Sequence, residues 1–288
     1  MTIIASLKRY FGAMFISDKQ QRRKYKDEFK EREWRKLAAR QKWGVSYSVF
    51  DGEELLEASI RSIRSSVDYI NVVWQSISWY GAPANEGLLP LLLRLKEEKL
   101  IDELIEFTPD LSLKAGRNET RKRNVGLAAA RKAGCTYFMP MDTDEFYKAE
   151  EMEAAKEFIL QQGITHSYCA QNAYGTKPTE LILAATCCCT FFTKLTPFSR
   201  HKNDKHVVAL VDPTRKISHI PWFLGGSRHY FLHMVRMNHF SLIRKNILKK
   251  LQNSSNDDVR ALACAGDSEC AKLTCPDYFD LGKIIEKF

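Results

Sequence analysis

Between residues 44 and 140 the chain alternates short apolar runs with amphipathic stretches, and this alternation narrows its fold more than any other feature. Residues 45–50, 69–74, 103–107 and 135–140 read as strands. Residues 53–66, 88–99 and 119–133 between them read as helices. In the first helix Leu56, Ile60, Ile63 and Val67 recur at three- and four-residue steps and form one apolar stripe. Gly134 suits the left-handed position that closes the third helix. Helices of this length between strands are the crossovers of parallel pairs. The sequence therefore predicts an α/β fold: a Rossmann-like, mostly parallel central sheet flanked by helices.

In such sheets ligands bind beyond the carboxyl ends of the strands. Asp51, Gln75, Ser76, Thr108 and the run Met141-Asp142-Thr143-Asp144-Glu145 fall there. In an extended segment Asp142 and Asp144 point the same way. Two converging carboxylates repel unless a proton or a cation joins them, and Mn²⁺ or Mg²⁺ suits oxygen ligands with positions left for phosphate. The alternative is an acidic turn capping a helix over 150–162. Arg117, Arg121, Lys122, Arg123 and Arg131 supply the opposite charge on the preceding helix. The small residues 125–130 let that helix approach the sheet, which places Lys122 or Arg123 where a diphosphate needs neutralising.

Three stretches in this order resemble GT-A fold glycosyltransferases, specifically the family 2-like bacterial enzymes. They are Ser48-Val49-Phe50-Asp51-Gly52-Glu53-Glu54, then Lys122-Arg123-Asn124 with Gly126, then the strand into Asp142-Thr143-Asp144-Glu145-Phe146-Tyr147, which looks like a D-x-D motif. The likeness covers residues 44–253. It implies a hexosyltransferase using a UDP-type nucleotide sugar, and a glycan or lipid-linked acceptor of surface polysaccharide synthesis. By the same resemblance Asp142 meets ribose or metal, Asp144 holds the metal that bridges the diphosphate, and Phe50 and Asp51 meet the base. Gln75, Lys122, Arg123 and Thr143 complete the donor site. A histidine from a later strand is implied as a third metal ligand: His239 first, His233 second. Residues 166–230 are expected to bind the acceptor, with Trp222 and Tyr230 able to stack on sugars. Asp204 and Asp212 are the candidate bases, and spacing does not separate them. A sugar-phosphate nucleotidyltransferase is disfavoured, because Phe50-Asp51-Gly52-Glu53 has one glycine where a Gly-rich loop is needed.

Charge locates a second feature. Residues 1–43 hold 13 Lys and Arg against five Asp and Glu, while the other 245 residues hold 31 against 30. A basic leader on a neutral domain argues against a nucleic-acid partner, which needs a basic face on the folded module. In the leader Ile4, Leu7, Phe11, Met14 and Phe15 make one helical stripe, followed by a charged helix over 19–42 with Tyr25, Phe29 and Leu37 inward. That extension either packs on the domain or a second subunit, or lies on an anionic membrane surface. With no run of about 18 apolar residues and no signal-peptide pattern, the expected location is cytoplasmic, peripheral on the membrane at most. The eight cysteines lack zinc spacing and read as reduced, mostly buried thiols. Residues 254–288 are expected to form a helical or irregular tail.

Overall fold

The computed structural model describes residue 8 and residues 11–182, 187–204, 211–244, 247–253 and 272–285. Among these, ten strands form one sheet. They are β1 (Trp43–Val49), β2 (Tyr69–Trp74), β3 (Glu103–Glu106), β4 (Tyr137–Asp142), β5 (Glu145–Phe146), β6 (His166–Tyr174), β7 (Glu180–Ile182), β8 (Cys188–Lys194), β9 (His229–His239) and β10 (Lys272–Thr274). The path runs β10-β7-β6-β8-β4-β1-β2-β3, with β9 beside β6 and β5 beside β9.

The α/β class expected from the sequence is the one observed. Its parallel part is β3-β2-β1-β4. Beyond β4 the sheet is mixed: β8 joins β4 and β6 antiparallel, and only the β6–β9 pair is parallel there. Two apolar runs in the second half read as strands from the sequence, 181–192 and 206–211: the first is two strands, β7 and β8, with residues 183–186 between them outside the described set, and the second lies almost wholly outside the described residues.

Helices α2 (Glu53–Ile63), α3 (Leu88–Glu97) and α5 (Ala149–Gln162) cover one face of the parallel half, and α4 (Ala115–Lys132) covers the other. Alternation along β1 divides the two cores. Val45, Tyr47 and Val49 point into the large cluster with Leu56, Ile60, Leu92 and Met152. Ser46 points the other way, toward α4. There the Ser46 hydroxyl donates to Asn71 Oδ1 at 2.6 Å, and Asn71 Nδ2 donates to the Gly126 carbonyl at 3.0 Å. A side chain at Gly126 would run into Ser46, so glycine sets how closely α4 lies on the sheet. This helix begins at Ala115, four residues before the expected start.

The leader contributes α1 (Lys19–Ala38), capped by Asp18, whose carboxylate accepts the Gln21 N–H at 2.7 Å. It packs on α5, with Phe29 buried. Of the apolar stripe read in the leader, Ile4 and Leu7 lie outside the described residues, while Phe11, Met14 and Phe15 are exposed. In the expected tail, β10 pairs with β7, and Leu281 of α7 (Leu281–Ile285) is buried beside Leu55, Phe146 and Phe240. The short α6 (Ile247–Gln252) lies between. No described helix is long and apolar enough to cross a membrane. Among the described cysteines all six are free thiols: Cys135, Cys169 and Cys189 are buried, Cys188 and Cys275 half-buried, Cys187 exposed.

Candidate active site

The register of β1 on β4 pairs Ser48 with Asp142, so the acidic run emerges beside the turn that ends β1. The Thr143 hydroxyl donates to the Asp51 carbonyl at 3.3 Å. Gly52 in that turn has φ +80°, and a side chain there would meet Thr143 and Arg244. Antiparallel pairing of β5 with the end of β9 sets Glu145 opposite His239. The Phe240 N–H donates to the Asp144 carbonyl at 2.9 Å, which brings the chain after β9 over the acidic turn.

Each carboxylate meets cations of the chain itself. Asp142 Oδ2 accepts from Arg215 Nη2 at 2.6 Å and from Arg123 Nη2 at 3.3 Å. Burial pushes its carboxyl up, but the two guanidiniums outweigh burial and hold it down at about 2. Arg215 also forks onto Glu145, through Nη1 at 3.0 Å and a shorter Nη2 contact. Glu145 is nearly fully enclosed, and burial raises its carboxyl despite Arg215. Asp144 accepts from Arg244 Nη2 at 2.8 Å and from the Lys250 ammonium, with His239 Nε2 3.5 Å away. Burial again works upward on Asp144, and Lys250, Arg244 and His239 together bring it well below the usual carboxylate range.

The network is saturated in carboxylates but not in donors. Arg244 Nε and Nη1 and Arg123 Nη1 are buried with no hydrogen-bond partner among the described residues, although Arg244 Nη1 lies 3.7 Å from Asp51 Oδ1. Buried guanidinium N–H groups left unpaired cost free energy, and an anion at this place would satisfy them.

Several residues expected at the donor site take other parts. Lys122 is enclosed beneath the turn: its ammonium donates to the Val49 carbonyl at 2.8 Å and Gln75 Oε1 at 2.9 Å. Burial lowers its pKa to about 7, against the pull of Asp142 and Glu119. Gln75 is thereby a partner of Lys122, and its amide donates to the Ile77 carbonyl at 2.8 Å. Arg123 braces Asp142 and Glu119 from below, with its side chain 1% exposed. Both residues lie among the buried positions of α4. Phe50 and Asp51 are half-buried at the β1 turn.

Of the two candidate bases, Asp212 joins the network, 3.8 Å from Arg123 and 3.9 Å from Arg215. Its carboxylate caps the turn Pro213–Arg215 through Thr214. Asp204 pairs with Lys216 at 3.0 Å. Of the two histidines, His239 stands beside Asp144. Its Nδ1 meets Gln171 Nε2 at 2.8 Å, while His233 stands exposed where the β6–β9 register shifts. Trp222 and Tyr230 are not at this site. They flank the opposite end of β9, which starts at His229 and reaches Glu145 only at His239.

Sequence reasoning missed Arg215, Arg244 and Lys250, the three cations that hold the triplet. A signal was present: residues 213–256 contain no Asp or Glu, so bases there have no local partners. A metal at the triplet has chemically suitable donors in Asp144 and His239, which approach as two ligands of one ion would. The third expected ligand, Asp142, is turned onto Arg123 and Arg215. Among the described residues no group of three His, Cys, Asp or Glu side chains converges on one point.

No family model matches the chain, and no curated protein matches its sequence. Solved structures of S. aureus TarS are similar to it. The full TarS structure aligns with TM-score 0.43 and 11% identity, over 76% of this chain and 41% of that one. TarS 1-349 in complex with UDP aligns with TM-score 0.34 and 13% identity, over 47% and 36%. The complex with UDP-GlcNAc gives 0.35 and 14%, over 47% and 35%. The chain thus spans about two fifths of the TarS chain at most.

Proposed function

We propose that the chain is a glycosyltransferase that binds a UDP-type nucleotide sugar over Asp144 and passes the sugar to a glycan or lipid-linked acceptor. The observation that supports this reading is the set of buried, unpaired guanidinium nitrogens of Arg244 beside Asp144, at the carboxyl end of the parallel strands. A diphosphate would accept from Arg244 and Lys250, which then neutralise the leaving group as its bond to the sugar breaks. Thr143 and Asp51, tied together at the β1 turn, would border the nucleoside. Gly52 in this turn is filled by Arg244 and Thr143, not left open as a phosphate cradle, which disfavours the nucleotidyltransferase alternative.

The divalent ion, Mn²⁺ or Mg²⁺, belongs to the same proposal, with Asp144 and His239 as its protein ligands. Bound there, it would supply Lewis-acid stabilisation of the departing diphosphate. Lys250 and the ion would compete for the same face of Asp144. The Gln171 amide nitrogen donates to His239 Nδ1, which leaves the ring proton on Nε2; with that amide turned over, Oε1 would accept from Nδ1–H and free Nε2 for the ion.

A thermal-shift screen of nucleotide sugars with and without Mn²⁺ tests the reading. A UDP-sugar at about 100 times its Kd should stabilise the fold by about 2.7 kcal/mol. Sugar nucleotides of every base leaving the midpoint unmoved would reject it.

A further inference from the structure

The pole of the molecule opposite Asp142 carries an aromatic projection that the proposed reaction does not use. β4 enters at Tyr137, opposite Lys194, and leaves at Asp142, so the two poles are roughly 17–20 Å apart. At the entry pole the Lys194 N–H donates to the Thr165 carbonyl at 2.7 Å, and the Thr165 N–H donates to the Arg228 carbonyl at 3.0 Å. From this base projects the turn Trp222–Leu224, stopped by Gly225 and Gly226 at φ +100° and +70°. The N–H groups of Leu224 and Gly226 both return to the Pro221 carbonyl, at 2.9 and 3.1 Å, and buried Ile220 anchors the stem. The turn is therefore a formed element.

Its side chains face out. Trp222 is 86% exposed, Phe223 62% and Leu224 45%, with Phe198 alongside at 58%. The Phe198 and Phe223 rings lie 6.5 Å apart, and Trp222 and Phe223 6.0 Å. A contiguous apolar patch of this kind marks a contact surface. Around it Lys194, Arg200 and Arg228 are exposed and have no ion pair among the described residues. Residues 194–203 and 216–230 on this edge include no Asp or Glu, and Asp204 beside them pairs with Lys216.

We propose that this pole docks on an anionic lipid bilayer, with Trp222 and Phe223 entering the headgroup layer and Lys194, Arg200 and Arg228 over the phosphates. An aromatic tip with a basic rim matches that interface on both counts: aromatic rings favour the headgroup level, and each base near an anionic surface is attracted. The basic leader joins the domain at the same pole, where the Lys42 ammonium donates to the Ala133 carbonyl and the Thr136 N–H to the Lys42 carbonyl, both at 2.8 Å. One weak signal gives only marginal attachment and two give stable attachment. The wedge and the leader are two. Docked this way, the chain turns the Asp144 end away from the lipid.

Co-sedimentation of the full chain with vesicles of about 30% phosphatidylglycerol in phosphatidylcholine, against phosphatidylcholine alone, tests this. Binding should require the anionic lipid and fall with salt. Trp222→Ser/Phe223→Ser should weaken it about tenfold, with an unchanged thermal midpoint because both positions are exposed. Arg200→Glu/Arg228→Glu should weaken it comparably. Equal binding by the Trp222→Ser/Phe223→Ser variant and wild type would overturn the proposal, assigning attachment to the leader alone. No vesicle binding by wild type would overturn it too. So would a wild-type dimer that the aromatic variant converts to monomer while its vesicle binding is unchanged, since a second copy would then cover the patch. None of these outcomes depends on nucleotide binding.

Discussion

Arg215→Ala is expected to lower the free energy of unfolding by about 3–5 kcal/mol, among the largest effects of any single substitution in this protein. Arg215 and Glu145 are both buried, with side chains 6% and 2% exposed. The guanidinium meets both Glu145 oxygens and also Asp142. Removing it leaves the enclosed Glu145 carboxylate with the Asp142 N–H but without its guanidinium partner. Asp142 suffers less, because Arg123 still reaches it and its side chain is 35% exposed. Restoring neutrality should therefore recover part of the loss, and Arg215→Ala/Glu145→Gln should be more stable than Arg215→Ala alone. Urea denaturation measures both. A loss under about 1 kcal/mol for the single variant would mean that the pair is not closed as described.

Asp144→Asn should have the largest effect on function, and its sign should depend on the metal. With Mn²⁺ present, loss of the carboxylate removes a ligand of the proposed ion, and UDP affinity should fall at least tenfold, about 1.4 kcal/mol. In chelator the expectation reverses. Lys250 and Arg244 lose their carboxylate partner, their charge becomes free for the diphosphate, and the variant should bind UDP at least as well as wild type. Titration calorimetry under the two conditions separates these effects. Weaker binding in chelator would show that Asp144 acts through the shape of the site and not through charge. Lys250→Ala provides the converse, since it clears the face of Asp144 that the ion would use. Its Mn²⁺ affinity should rise.

The parallel half of the fold was legible because its signal is local. Strand runs and helical stripes from 44 to 140 each carry their own period, and β2 falls on the residues expected for it. Asp142 and Asp144 were legible for the same reason, as carboxylates after a buried strand. The antiparallel half was harder, because pairing of β8 between β4 and β6 is a long-range choice that no local pattern encodes. The partners of the triplet were hidden likewise: Arg215 lies 73 residues from Asp142, and Lys250 lies 106 residues from Asp144. Lys122 and Arg123 lie near the strand ends, but the partners that enclose them, the Val49 carbonyl, Gln75 and Asp142, come from other elements, which no local pattern encodes. Trp222 and Tyr230 fall in the half expected to bind the acceptor, and the sequence does not show that β9 starts beside them at His229 and reaches Glu145 only at His239.

Binding of a nucleoside diphosphate beside Asp144, with Arg244 as its buried donor, is the central proposal. Calorimetric titration of UDP into wild type and Arg244→Ala, in Mn²⁺, tests this most directly. Saturable one-to-one binding by wild type is expected, weakened at least tenfold in the variant. Equal affinity of the two proteins, or no binding by wild type, would contradict it.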